Sequence, residues 1–156
     1  MKTIYFLLFV FTIIPSCQMP KNAKTAKESL YEGQKWNTKR PITTIAFGSC
    51  NREDLPQDIW KAIAQNQPDI WIWTGDNIYG DSDDMKVLHD KYTKQKSGKD
   101  YRALRKKTQI TGIWDDHDFG VNDGGKEYPY KRESKKLMLD FLDVPRDAPV
   151  WNYEGA

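Results

Sequence analysis

Asp69-Ile-Trp-Ile-Trp-Thr74 is the segment that most restricts what this chain can fold into: four large apolar residues in succession, then an abrupt stop at Gly75-Asp76-Asn77. An amphipathic helix would space its apolar residues by three and four, and a half-exposed strand would alternate them with polar ones. An unbroken run bounded by turn formers predicts a strand buried on both faces, as in a parallel sheet. Parallel strands need crossover connections, so helical segments should flank this run in the sequence.

They do. Ile42-Thr-Thr-Ile-Ala-Phe47 is β-rich and ends in the turn-forming Gly48-Ser49-Cys50-Asn51. Pro56 then opens a stretch whose Ile59, Trp60 and Ile63 share one helix face, closed near Pro68. A charged, helix-compatible stretch runs from Met85 to Lys107 with an interruption at Ser97-Gly98, followed by a third strand, Gln109-Ile-Thr-Gly-Ile-Trp114. Leu137, Met138, Phe141 and Leu142 make a last helical stripe before Pro145. The fold class is therefore α/β, in the order β-α-β-α-β-α, with parallel strands and right-handed crossovers. Trp71 and Trp73 read as packing residues.

The chain has 156 residues, room for one domain. Its 24 basic and 22 acidic residues give a net charge of +2, too even for a protein whose whole surface binds nucleic acid. An aromatic content of 13% with six Trp argues against disorder. At the amino end, Lys2, the apolar run Ile4 to Ile14 and Pro15-Ser16-Cys17 read as a signal peptide over residues 1–16, the run being too short to span a bilayer. Ile14-Pro15-Ser16-Cys17 resembles a bacterial lipobox, which predicts acylation of Cys17 and a membrane partner through the lipid; plain secretion with cleavage near Ser16 is the alternative. Residues 17–41 are polar and read as a tether, so the body begins at Ile42. With Cys17 acylated, Cys50 has no partner in the chain, and metal ligation is one reason to keep a lone thiol in an exported protein.

The chemistry gathers at the predicted strand ends. The three strands finish at Cys50, at Asp76 with Tyr79, and at Asp115-Asp116-His117-Asp118. The carboxyl ends of parallel strands open into one crevice, so three separate segments deliver ligand-type side chains to one place. Each cluster alone could be a turn. Together their acids need a neutraliser, and a metal is the simplest. A thiolate, a phenolate and a carboxylate suit iron(III) better than zinc, and the oxygen donors Asp115, Asp116 and Asn77 suit calcium. Such a centre would activate water and clamp phosphoryl oxygens, with His117 contacting the phosphate or protonating the leaving oxygen. A nucleophilic Cys50–His117 pair would leave the acids unexplained, and Asp76 to Asp84 lacks the EF-hand spacing. The nine Lys/Arg between Met85 and Lys107 are read as a solvated helix face, with attraction of phosphate substrates or headgroups as the alternative.

Phe47-Gly48-Ser49-Cys50-Asn51, Gly75-Asp76-Asn77-Ile78-Tyr79-Gly80-Asp81 and Trp114-Asp115-Asp116-His117-Asp118, in this order, resemble the PhoD-type alkaline phosphatase and phosphodiesterase family of metallophosphatases. Gly120-Val-Asn-Asp-Gly-Gly125 and the helix Glu133 to Leu137 are similar as well, so the likeness runs from Ile42 to Trp151. The resemblance implies Cys50, Asp76, Tyr79 and Asp116 as metal ligands and His117 as the catalytic residue. Asn77 and Asp115 become further metal or substrate contacts. It also implies iron(III) with calcium, and phosphomonoester or phosphodiester substrates outside the cytoplasm; the lipobox reading adds a lipoprotein of the cell envelope, expected to be a monomer. Members of the family continue into the second half of a two-sheet sandwich with further Asp and His ligands. The chain thus reads as the amino-terminal portion of such an enzyme, with Trp151 to Gly155 where the next strand would begin. The competing reading is a truncated surface lipoprotein that binds metal or phosphate without turnover.

Overall fold

The computed structural model describes residues 30–155 except 35 and 38. The signal-peptide reading, the lipid site Cys17 and residues 17–29 of the tether lie outside the described residues.

Strands β1 (Ile45–Gly48), β2 (Ile70–Thr74) and β3 (Gln109–Ile113) form a parallel sheet in the order β1-β2-β3. Helix α1 (Ile59–Gln65) connects the first two, and α2 (Met85–Ser97) and α3 (Lys99–Arg105) connect the second pair. A one-turn helix α4 (Asp116–Phe119) follows β3 directly, and α5 (Lys131–Phe141) comes next. The mixed α/β class, the parallel strands and the break at Ser97-Gly98 are as the sequence predicts.

The register pairs Phe47 with Ile72 and Ile72 with Thr111, so the two-residue period sorts the strands into two faces. Trp71 and Trp73 share the face that carries the helices. There Trp73 meets Trp60 of α1, Tyr101 of α3 and Phe141 of α5 at ring separations of 5.2, 5.7 and 5.9 Å. Its indole N–H donates to the Tyr101 hydroxyl at 2.9 Å, which removes the cost of burying that donor. Gly112 on β3 is dictated by this packing, because a Cβ there would fall 2.4 Å from the Trp73 Cβ.

The opposite face corrects one expectation. The sheet is only partly covered there: on β2 Ile70 is buried, Ile72 half-buried and Thr74 exposed, and on the flanking strands Phe47 is 71% exposed, Ile45 56% and Ile113 48%. The apolar run was legible, but a run cannot reveal whether a second layer covers it.

Two further differences concern the ends. Leu30 is buried within the core, and the Glu32 and Gly33 N–H groups donate to Asp143 at 2.6 and 3.0 Å. The Gln34 amide donates to the Thr108 carbonyl and accepts from the Ile110 N–H, at 3.2 and 3.1 Å. Residues Leu30 to Gln34 are therefore a strap packed on the body, and the tether reading fails for them because one apolar anchor and backbone donors suffice to dock a polar segment. At the other end, Pro149–Asn152 forms a 3₁₀ turn where a strand was expected. Pro149 starts the turn, and the Trp151 indole N–H is committed to the Pro145 carbonyl at 2.8 Å.

Candidate metal centre

At the carboxyl ends of the strands the backbone takes conformations that L-residues seldom adopt. Cys50 has φ of 55° and Asp76 of 47°, and neither closes a helix. Such positions cost on the order of 1–3 kcal/mol each and persist where the surroundings hold them. Here they are held. The Asn51 N–H donates to the Asp76 carbonyl at 2.9 Å, and the Asn51 amide reaches the Asn77 carbonyl and the Gln95 side chain at 3.0 and 2.8 Å. Gly75, at φ 102°, lets the second loop approach the third, since a Cβ would lie 2.7 Å from the Asp115 Cβ.

These loops bring together Cys50, Asp76, Tyr79, Asp116 and His117. The Cys50 thiol and the Tyr79 hydroxyl both donate to Asp76 Oδ2, at 3.6 and 3.3 Å. Asp76 Oδ1 is buried with no hydrogen-bond partner. Asp76, Asp116 and His117 each present a ligand atom, all within 4.8 Å of one another. Burial, with Cys50 and Asp76 adding to it, pushes the Tyr79 phenol up to about 12. A cation is what would draw protons from the two donors that converge on Asp76 and would satisfy its idle oxygen. Asp76, Asp116 and His117 thus form a cluster able to hold a cation.

His117 is oriented from behind. Its Nδ1 meets Asp81 Oδ1 at 2.6 Å, and this bond raises the imidazole above its ordinary range. The Gly80 and Asp81 N–H groups both donate to the His117 carbonyl, at 3.0 and 3.3 Å, so one loop fixes the residue at backbone and ring. With Nδ1 engaged, Nε2 is the nitrogen available for chemistry. The ring also lies 4.3 Å from that of Tyr79. Asp116 accepts the Asp123 N–H at 2.5 Å, which holds its carboxyl below the usual range.

Two predicted contacts make bonds elsewhere. Asp115 caps α4 in a reciprocal capping box with Asp118, so its carboxylate serves backbone N–H groups. Asn77 is fully buried; its amide donates to the Ile113 carbonyl at 3.0 Å and to Asp118. Asp115 is thereby scaffold for the loops, whereas Asn77 keeps its side-chain oxygen buried without a partner.

Sequence reasoning missed several supporting residues. Asp118, with no exposed surface, receives the Asp115 and Asn77 N–H groups at 2.7 and 3.1 Å and ties the second strand end to the third. Burial nevertheless pushes its carboxyl up to about 7. The Asp-x-x-Asp spacing from Asp115 was the signal that could have exposed it. Buried Glu53 accepts the Tyr79 N–H at 3.3 Å and binds Lys91 at 2.8 Å. Arg52 lies 5.2 Å above the Tyr79 ring and is paired with Asp54. Asp81 looked like one more loop acid. His89, by contrast, sits on α2 beside Asp90, away from the cluster as expected.

No protein-family model, curated protein or solved structure matches this chain.

Proposed function

We propose that the chain carries the amino-terminal part of a metal-dependent phosphoester hydrolase of the PhoD type, acting on a phosphomonoester or phosphodiester outside the cytoplasm and anchored through Cys17. The observation that carries the reading is the cluster of Asp76, Asp116 and His117, with ligand atoms within 4.8 Å of one another, together with the Cys50 thiol and Tyr79 hydroxyl donating to Asp76 Oδ2 and one carboxylate oxygen of Asp76 buried and idle. Cys50, Asp76, Tyr79 and Asp116 would hold iron(III) and calcium. The metal supplies Lewis acidity toward the phosphoryl group and a nucleophile at neutral pH.

The chain's own residues do the rest. Asp81 keeps the Nδ1 proton in place and directs His117 Nε2 toward the substrate, where it donates to a phosphoryl oxygen or to the departing alkoxide. Arg52, stacked near Tyr79, adds positive charge at the rim for an anionic substrate. The bare face of the sheet is where the second half of a sandwich would pack.

The purified chain, loaded with iron(III), is expected to show a visible charge-transfer band that Tyr79→Phe removes, and Asp76→Ala in the complete enzyme is expected to abolish metal-dependent phosphoester hydrolysis. A colourless protein with no affinity for iron would sink the assignment. The second reading is metal or phosphate binding without turnover. It is favoured by one observation: His117 is the single imidazole at the site, the other histidine being on α2. Substantial phosphodiester hydrolysis by the purified chain would exclude it.

A further inference from the structure

The end of the sheet opposite the candidate centre has a distinct chemistry. The segment from Leu30 to Pro41 runs past the amino ends of the strands and faces the turn between α3 and β3 across a cleft of about 370 Å³, lined among others by Gln34, Asn37, Arg40, Ile42, Lys106 and Lys107. The acids engaged at this end already have cations: Lys96 and Arg105 hold Asp143, Arg105 also holds Glu32 at 3.2 Å, and Arg40 pairs with Asp69. Lys39, Lys106 and Lys107 are exposed and form no ion pair among the described residues. Ile42, which lines the same cleft, is exposed by 48%, and Trp36, next to the cleft residue Asn37 in sequence, by 38%.

We propose that this surface lies against an anionic phospholipid bilayer. Exposed lysines supply attraction to a negative headgroup layer, at about 1 kcal/mol each, and Trp with Ile supplies the amphipathic contact suited to the interface. The strap adds direction. It delivers the amino terminus of the body to this same end, thirteen residues after Cys17, the residue that the lipobox reading acylates. The orientation rests on the anchored-lipoprotein reading, whereas the affinity of the surface does not. The candidate centre, at the opposite ends of the strands, then faces away from the membrane toward soluble or protruding phosphoesters.

The test uses the full chain and two kinds of vesicle, phosphatidylcholine alone and phosphatidylcholine with phosphatidylglycerol in equal parts. The leader's apolar run contributes to both, so the readout is the difference between them. Binding to the anionic vesicles is expected to exceed that to neutral ones, to fall with salt, and to drop roughly 30-fold in Lys106→Ala/Lys107→Ala. Lys106→Arg/Lys107→Arg should restore it, which separates charge from a folding defect. Lys86→Ala/Lys126→Ala removes the same net charge elsewhere and should change little. Equal binding to both vesicles, an equal loss in that second pair, or displacement by millimolar inorganic phosphate would overturn the proposal.

Discussion

The two ends of the parallel sheet use the same backbone conformation for opposite purposes. At the amino end, Gln67 and Asp143 have φ of 48° and 55°, and each follows the last turn of a helix, α1 and α5, where a left-handed residue is the ordinary way to stop. At the carboxyl end, Cys50, Asp76, Asp81 and Asp123 have φ between 45° and 60° without a helix to terminate. The amino end satisfies its buried charges: Lys96, 3% exposed, binds Asp143 and the Leu30 and Asp140 carbonyls. The carboxyl end leaves Asp76 Oδ1 and Asn77 Oδ1 without partners. One end is built for stability and the other carries unmet demand, the usual sign of a site that completes itself with something bound.

The largest expected effect comes from removing that demand. Asp76→Asn suits the left-handed backbone and takes away a carboxylate that faces Asp116, so the metal-free protein should melt at a higher temperature. Metal-dependent hydrolysis should fall to background in the same variant. A variant that loses activity and stability together would mean that Asp76 is structural, and the contrast between the ends would fail.

Lys96→Met should act the other way. Burial pushes the Lys96 ammonium down from its ordinary range, against the pull of Asp143. Breaking such a pair leaves its partner uncompensated, at about 3 kcal/mol, and Arg105 still on Asp143 keeps the loss from being larger. Urea unfolding should register it, with the strap from Leu30 to Gln34 exchanging its amide hydrogens first, while metal affinity at the far end stays unchanged.

The sequence was informative where one residue type has one physical use. The Ile-Trp-Ile-Trp run had to be a strand, and Gly75-Asp76 had to be its end. Cys50, Asp76, Tyr79, Asp116 and His117 were legible because parallel strands deliver their carboxyl ends to one crevice. Asp115 was not, since an acid after a strand serves a backbone N–H as readily as a ligand, and only the fold shows which donor is nearer. The strap was hidden for a related reason: its hold depends on Asp143 and Lys96, more than sixty residues away in sequence. The bare sheet face was invisible because no local pattern distinguishes a covered apolar strand from an uncovered one.

Asp118 gives the contrast a pH signature. Its carboxyl is raised to about 7 in the fold, whereas in an unfolded chain it titrates near 4. Between those values the folded state holds a proton that the unfolded state has lost, so this group's contribution makes stability fall as pH rises from about 4 to about 7, by about 2 kcal/mol or more. Asp118→Asn should flatten that slope in thermal unfolding of the metal-free protein. An unchanged slope would place the titrating group elsewhere.

The smallest effect sharpens the comparison most, because it separates holding a ligand from orienting it. Asp81 is half-exposed, touches none of the proposed ligands except through His117, and bonds Nδ1 at 2.6 Å. Asp81→Asn keeps the shape and removes the charge, so iron binding and its visible band should be retained while hydrolysis falls about 10- to 100-fold, the range for a partner that orients a functional histidine. The loss should appear in kcat with KM little changed, since a misdirected Nε2 costs proton donation more than substrate capture. If Asp81→Asn instead abolished the band, the acid would belong to the ligand set itself. The carboxyl end would then be a larger metal site than the five converging residues describe.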